Sequence, residues 1–317
     1  MSPDLDALGR VLPVLLLFAL GWAVRRRSWL APSTMADLRR LVLGVTLPAA
    51  LFLTFLHVDL QARYLPIVVI VFGASVVILA AGPALLRPIR VRSPYGPALM
   101  TGFEAGMLGY AIYGAVFGQD ELYRFGIVDL GQVLFVFFVL ATVVLHRSTG
   151  ARPGLAATAR QFATTPVILA IALGIAGRLA GLDVLLASSP VLSAVPTALG
   201  LLGACTTPLI AIVIGYSTTL RPGALVRPAA TVAVRLGVWI TLAVAFDKVV
   251  VEGILGLDRL FGAAVMTMAV LPPPFVLPLF MGGEATAGER AYVTDALSVA
   301  TVATLALMPF VAVAFSA

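Results

Sequence analysis

The chain has 317 residues, 61% of them hydrophobic and only 11% charged, with a formal net charge of +6. So apolar a composition excludes an ordinary soluble domain, and the length suits about ten membrane spans of ~20 residues joined by short loops. The positive charge is not a nucleic-acid signature, because the basic residues, all arginine except Lys248, lie between apolar runs rather than along one stripe.

The first apolar run, about 8–24, is preceded by Asp4 and Asp6 and followed by Arg25, Arg26 and Arg27. A cleaved signal carries its positive charge in front of the run. This run is therefore expected to stay in the protein as a span running from outside to inside. Further spans are expected at about 35–56, 64–86, 95–117, 125–145, 165–181, 191–217, 229–250, 260–281 and 291–315. Asp59 and Arg63 sit in the second loop, and 146–161 forms the longest and most polar loop. With the N-terminus outside, fourteen arginines fall on the inside loops and span ends, among them Arg87, Arg90, Arg92, Arg152 and Arg227. Six basic residues fall outside, and Arg235 lies within span eight. This bias sets the expected orientation: a multi-pass protein of the inner (plasma) membrane, both termini outside, with the 146–161 loop in the cytoplasm.

The two halves repeat. Thr46-Leu47-Pro48 and the apolar run after it match Thr206-Thr207-Pro208 and its run, 160 positions later. That interval holds five spans. An odd number forces the second half to insert upside down, giving a 5+5 inverted repeat of 1–145 and 162–317.

Spans four and nine are partners in this repeat, and each is interrupted near mid-depth. Span four carries Glu104 about nine residues, or ~13 Å, from its start. It also carries Gly102, Gly106 and Gly109, which weaken a helix. Gly102 and Gly106 have the spacing of a tight helix contact, but a buried carboxylate adds nothing to packing, so a break beside a site is the preferred reading. Span nine carries Pro272, Pro273 and Pro274, which remove three consecutive donors. Half-helix N-termini at such breaks expose N–H groups that attract anions.

The segment 41–60 with Leu47-Pro48, the stretch 102–111, Phe117-Gly118 leading to Asp129-Leu130-Gly131, Pro208 leading to Gly215, and Leu271-Pro272 leading to Met308-Pro309 together resemble the auxin efflux carrier family, the bacterial relatives of the plant PIN carriers. The resemblance covers nearly the whole chain in order. It implies an all-helical, PIN-like fold, similar to sodium/proton exchangers, with crossing, broken spans four and nine. Spans one, two, six and seven would form a scaffold, often dimeric. Spans three to five and eight to ten would form a moving transport domain. It also implies small organic anions as substrates, such as dicarboxylates or auxin. The pattern departs at the crossing: Glu104 stands where the family often has Asn, and Ala111 where it often has Pro.

The candidate binding residues are Glu104, Ala105, Gly106, Gly109, Tyr110, Asp129, Gln132, Pro272, Pro273 and Pro274, with Arg235 as a further anion contact. Ionised, Glu104 would repel an anion and bind a cation; protonated, it can share the site. It is expected to take up a proton during the cycle, the other reading being an ion pair with Arg235. Asp129 and Gln132, three apart on one helix face, either bond freed backbone or form a solvated helix end. Tyr110 and Tyr113 either line the pocket or pack. Arg235 can snorkel to the inner surface, and Asp295 reads as a helix-start carboxylate. One cysteine, Cys205, and two separate histidines exclude a disulfide and a CxxC or histidine metal site. No cofactor is expected, and the absence of GxSxG, HExxH and P-loop sequences argues against an enzyme. The functional expectation is secondary transport of an organic anion, coupled to protons or sodium. The alternatives are a cation/proton exchanger and a non-transporting membrane sensor.

Overall fold

The computed structural model describes residues 3–58, 61–149, 154–219, 221, 223–281 and 285–315, so Asp59 and Arg152 lie outside the described residues. The described elements are all helical. In chain order they are α1 (Pro3–Arg26), α2 (Pro32–Leu56), α3 (Ala62–Leu86), α4 (Gly96–Leu99), α5 (Ala105–Phe117) and α6 (Gln119–Val144). After these come α7 (Leu155–Ala163), α8 (Pro166–Leu179), α9 (Leu182–Ala187), α10 (Ala194–Ser217) and α11 (Val226–Ile254). The last three are α12 (Arg259–Val270), α13 (Leu277–Phe280) and α14 (Ala287–Phe315). Prolines open α2, α4, α8 and α13, where the missing N–H has no intrahelical partner to lose.

Six of these helices, α2, α3, α6, α10, α11 and α14, are long and apolar enough to cross a membrane unaided. The pair α7 and α8, bent by 64°, makes a seventh if taken as one span. α5 and α12 are apolar but short, because each is one side of an interrupted segment. The chain is therefore an integral membrane protein of helical class. The expected polar loop at 146–161 is largely helical instead: α6 continues as helix to Thr149, and α7 begins at Leu155. α7 is held by Phe162, whose ring meets those of Phe137 and Phe138 at 5.6 and 5.7 Å.

The two most extensive helix pairs are α1 with the second half of α10, and α8 with the second half of α2. Both depend on glycine. A Cβ on Gly21 would stand 2.1 Å from the Ile212 carbonyl oxygen, and one on Gly215 2.0 Å from that of Phe18. A Cβ on Gly174 would stand 2.7 Å from the Phe52 oxygen. Backbones approach this closely only where the side chain is absent. Phe52 and Ile212 are separated by the same 160 positions as Thr46 and Thr206, and the hydroxyls of those two threonines bond at 3.0 Å. The interval thus recurs on the carbonyl side of the two approaches, while their glycines, Gly21 and Gly174, are 153 positions apart.

α3 runs between two differently lined ends. Pro83, Leu86 and Arg87 at its close border a cavity with Arg90 and Arg92. Arg63 and Tyr64 at its start border a polar cavity of about 500 Å³ with Asp120, Tyr123 and Asp258. There Arg124 forms a forked pair with Asp258 at 2.7–3.1 Å, and Asp258 caps α12 through the N–H groups of Leu260 and Phe261.

Gly215→Ala forces α1 and α10 apart, an overpacking cost of about 1–3 kcal/mol. Gly44→Ala, at a glycine with open space around it, costs nothing. Thermal unfolding in detergent is expected to show a lowered Tm for the first and none for the second.

Candidate functional site

The site lies where the two interrupted segments meet. α4 ends at Leu99, and Gly102 turns the chain out of helix at φ +66°. A side chain there would be strained by that backbone, and its Cβ would also lie 2.8 Å from Pro274 Cγ. Helix resumes at Ala105. On the other segment α12 stops at Val270, and Leu271 is extended (φ −65°, ψ 151°). Pro272, Pro273 and Pro274 cross the gap, and helix returns as α13. The strands of the crossing touch directly: the Glu104 N–H donates to the Pro272 carbonyl at 2.9 Å.

The Glu104 carboxylate joins both resumed helices. Its Oε1 accepts from the Met107 N–H at 3.2 Å, in the first turn of α5 beside Ala105 and Gly106. Its Oε2 accepts from the Phe275 N–H at 2.6 Å, in the turn leading to α13. These are the ends where unpaired N–H groups carry partial positive charge. Gly106 has open space around it, whereas a Cβ on Gly109 would strike Phe125 and Leu271 at 2.5 and 2.8 Å. Gly109 therefore lets α6 and the second segment close against α5.

The opposite ends of the break are served by α11. Arg235 is 1% exposed. Its Nη1 donates to the Leu99 carbonyl at 3.1 Å, and its Nη2 donates to those of Gly102 and Leu271 at 2.6 and 3.3 Å. Its guanidinium lies 4.9 Å from the Phe103 ring centroid. One turn on, Trp239 Nε1 donates to the Met100 carbonyl at 2.7 Å. From α14, Thr304 Oγ1 donates to the Val270 carbonyl at 2.5 Å. The expected snorkelling of Arg235 does not occur, because three carbonyls left by the broken helices hold it inward. Nor does it pair with Glu104: the cation sits on the carbonyl ends and the carboxylate on the N–H ends. Among the described residues its Nε has no partner.

A buried chain of side chains supports the break from α6. Gln132 Oε1 accepts from the Phe103 N–H at 3.2 Å, and Gln132 Nε2 donates to Asp129 Oδ1 at 2.8 Å. The Tyr110 hydroxyl donates to Asp129 Oδ2 at 2.9 Å. Asp129 and Gln132 are 2% and 3% exposed, so they are not a solvated helix end. Tyr113 is also buried, its hydroxyl donating to the Leu260 carbonyl at 2.9 Å. Asp295 is not at a helix start either. It lies buried well inside α14 and pairs with Arg221 at 3.0 Å.

An apolar cavity of about 360 Å³ reaches the break from the side, with Phe103, Trp239 and Met268 among its walls. The residues that sequence reasoning passed over are Trp239 and Thr304. Trp239 stands four positions after Arg235, on the same helix face, and that spacing was the available signal.

No family model matches the chain. It is 27% identical over 216 residues to a protein of Methanothermobacter thermautotrophicus named an uncharacterized transporter, the match covering 67% of this chain and 68% of that protein. With the apolar helices, this likeness supports a membrane transporter as the general class.

Glu104→Ala strips the acceptor from two buried N–H groups, each costing about 1–3 kcal/mol. Glu104→Gln keeps one acceptor oxygen. Unfolding temperatures in detergent should fall in the order wild type, Gln, Ala.

Proposed function

We propose that the protein is a secondary active transporter of a small organic anion, working by alternating access and coupled to protons. The observation that carries this reading is the place of Glu104. A carboxylate of the protein itself bridges N–H groups from both interrupted segments, so the crossing is chemically suited to a substrate carboxylate. In this reading the substrate replaces Glu104, which leaves the N–H groups as the neutral acid. Anion and proton then bind together, and a bare exchange of two negative charges is avoided. Asp129 and Gln132 hold the backbone through the exchange, and Tyr110 holds Asp129.

The frame we assign is a ten-span 5+5 inverted repeat of the auxin efflux carrier type. The bond between Thr46 and Thr206, 160 positions apart, supports it, as does the meeting of two broken segments. α1, α2, α8 and α10 would be the scaffold, and α3–α6 with α11–α14 the moving part. We further assign a homodimer in the inner membrane with both termini outside, no cofactor, no nucleic-acid partner and no enzymatic activity. A cation/proton exchanger on the same frame is the second reading, favoured by two buried carboxylates, Glu104 and Asp129, at one crossing.

Proteoliposomes given a panel of radiolabelled mono- and dicarboxylates, with an inward proton gradient, test this. Wild type is expected to accumulate at least one carboxylate and to lose accumulation when a protonophore is added. Glu104→Gln is expected to carry the anion without responding to the gradient. A Glu104→Gln protein that stays gradient-driven rejects the proton role. Sodium-driven proton flux with no carboxylate present favours the exchanger.

A further inference from the structure

We propose that the arginine-lined cavity at the end of α3 binds a phosphate group, supplied by an anionic lipid headgroup or by a free phosphate ester. This site is separate in role from the crossing, although Pro97 of α4 lies in its adjoining wall. Three chain segments converge there: the turn after α3, the start of α11 and the start of α14. The cavity has a volume of about 600 Å³ and is lined by Arg90, Arg92 and Arg227. A neighbouring cavity of about 860 Å³ shares Arg90 and Arg92 and adds Arg87. The turn is fixed by the Arg90 N–H donating to the Arg87 carbonyl at 3.0 Å, with Arg90 left-handed at φ +54°. That conformation brings the arginines of this turn around the close of α3.

The charge balance of the cavity is what points to a ligand. Its three arginines outnumber its two acids, of which Asp295 is neutralised by an ion pair and Glu289 is held by hydrogen bonds. Glu289 Oε2 accepts from the Thr286 N–H and hydroxyl at 2.8 and 3.0 Å. Asp295 is paired with Arg221 at 3.0 Å. The guanidinium groups of Arg87, Arg90, Arg92 and Arg227 form no ion pair or side-chain hydrogen bond among the described residues. Several unpaired guanidinium forks around one cavity suit a tetrahedral phosphate, whose non-bridging oxygens (two in a diester, three in a monoester) diverge toward different forks, better than a single planar carboxylate. The adjoining walls of Pro83, Leu86 and Pro97 are apolar, suited to the glycerol and upper acyl carbons of a lipid. A basic pocket at the arginine-rich end of apolar helices lies at headgroup depth.

Purified protein in neutral detergent is titrated with short-chain phosphatidylglycerol, short-chain phosphatidylcholine, inorganic phosphate and succinate, with binding read by thermal shift and native mass spectrometry. Phosphatidylglycerol is expected to bind at least about tenfold more tightly to wild type than to R90Q/R92Q/R227Q, a ratio of about 1.4 kcal/mol. Binding to R63Q, altered at the opposite end, should be unchanged. If inorganic phosphate alone binds with the same dependence on the three arginines, a free phosphate ester is the ligand; if it does not and the lipid does, the headgroup is. Equal binding by wild type and the triple variant, or succinate binding as tightly as either phosphate source, overturns the proposal. Should the triple variant fail to fold, the exposed single variants R92Q and R227Q decide it: each must weaken binding severalfold, and unchanged binding in both overturns it.

Discussion

A helix interrupted inside hydrocarbon leaves carbonyls on one side of the gap and N–H groups on the other, and each unmet group costs several kcal/mol. Two interrupted helices meet here in the buried interior of the protein, so the demand is doubled at one point. Glu104 and Arg235 divide it by sign. The carboxylate takes N–H groups from both resumed helices, and the guanidinium takes carbonyls from both ended ones. Trp239, Thr304 and Gln132 take most of what remains. A matched pair of charges thus stabilises a break that neither Gly102 nor the three prolines would sustain unaided.

In the proposed function this arrangement links stability to transport. The groups that would hold an incoming carboxylate are the groups that Glu104 already holds. Removing that side chain from its N–H partners without a substitute is unfavourable, so in the proposed cycle the empty crossing stays closed on itself. A substrate anion supplies the substitute. Arg235 has no comparable competitor, because its partners are backbone carbonyls, and it is free to stay in place throughout.

The breaks themselves were legible, because glycine at a left-handed position and consecutive prolines act locally. The meeting of Thr46 and Thr206 was legible for the same reason: Thr46-Leu47-Pro48 and Thr206-Thr207-Pro208 repeat a local pattern. The partners of Glu104 were not. Phe275 lies 171 positions away, and only the folded crossing brings it near. Arg235 turns inward rather than toward the surface, a direction the sequence does not reveal, since helix rise fixes only distance along the axis and the mostly apolar sequence of α11 conceals which face turns inward. α7 does not stand out as a helix in the sequence because it is short, Thr158, Arg160 and Gln161 interrupt its apolar residues, and its anchor is one ring, Phe162. Asp295 looks like a helix-start residue in the sequence only because the apolar pattern begins later than α14 itself, which starts at Ala287.

The most direct measurement is amide hydrogen exchange at Met107 and Phe275, followed by NMR on protein labelled with ¹⁵N-methionine and ¹⁵N-phenylalanine, in wild type and Glu104→Ala. If one carboxylate holds both resumed helices, exchange accelerates at both amides together while Phe103, held by Gln132, keeps its protection. Unchanged exchange at either amide would contradict the bridging of the two segments by Glu104.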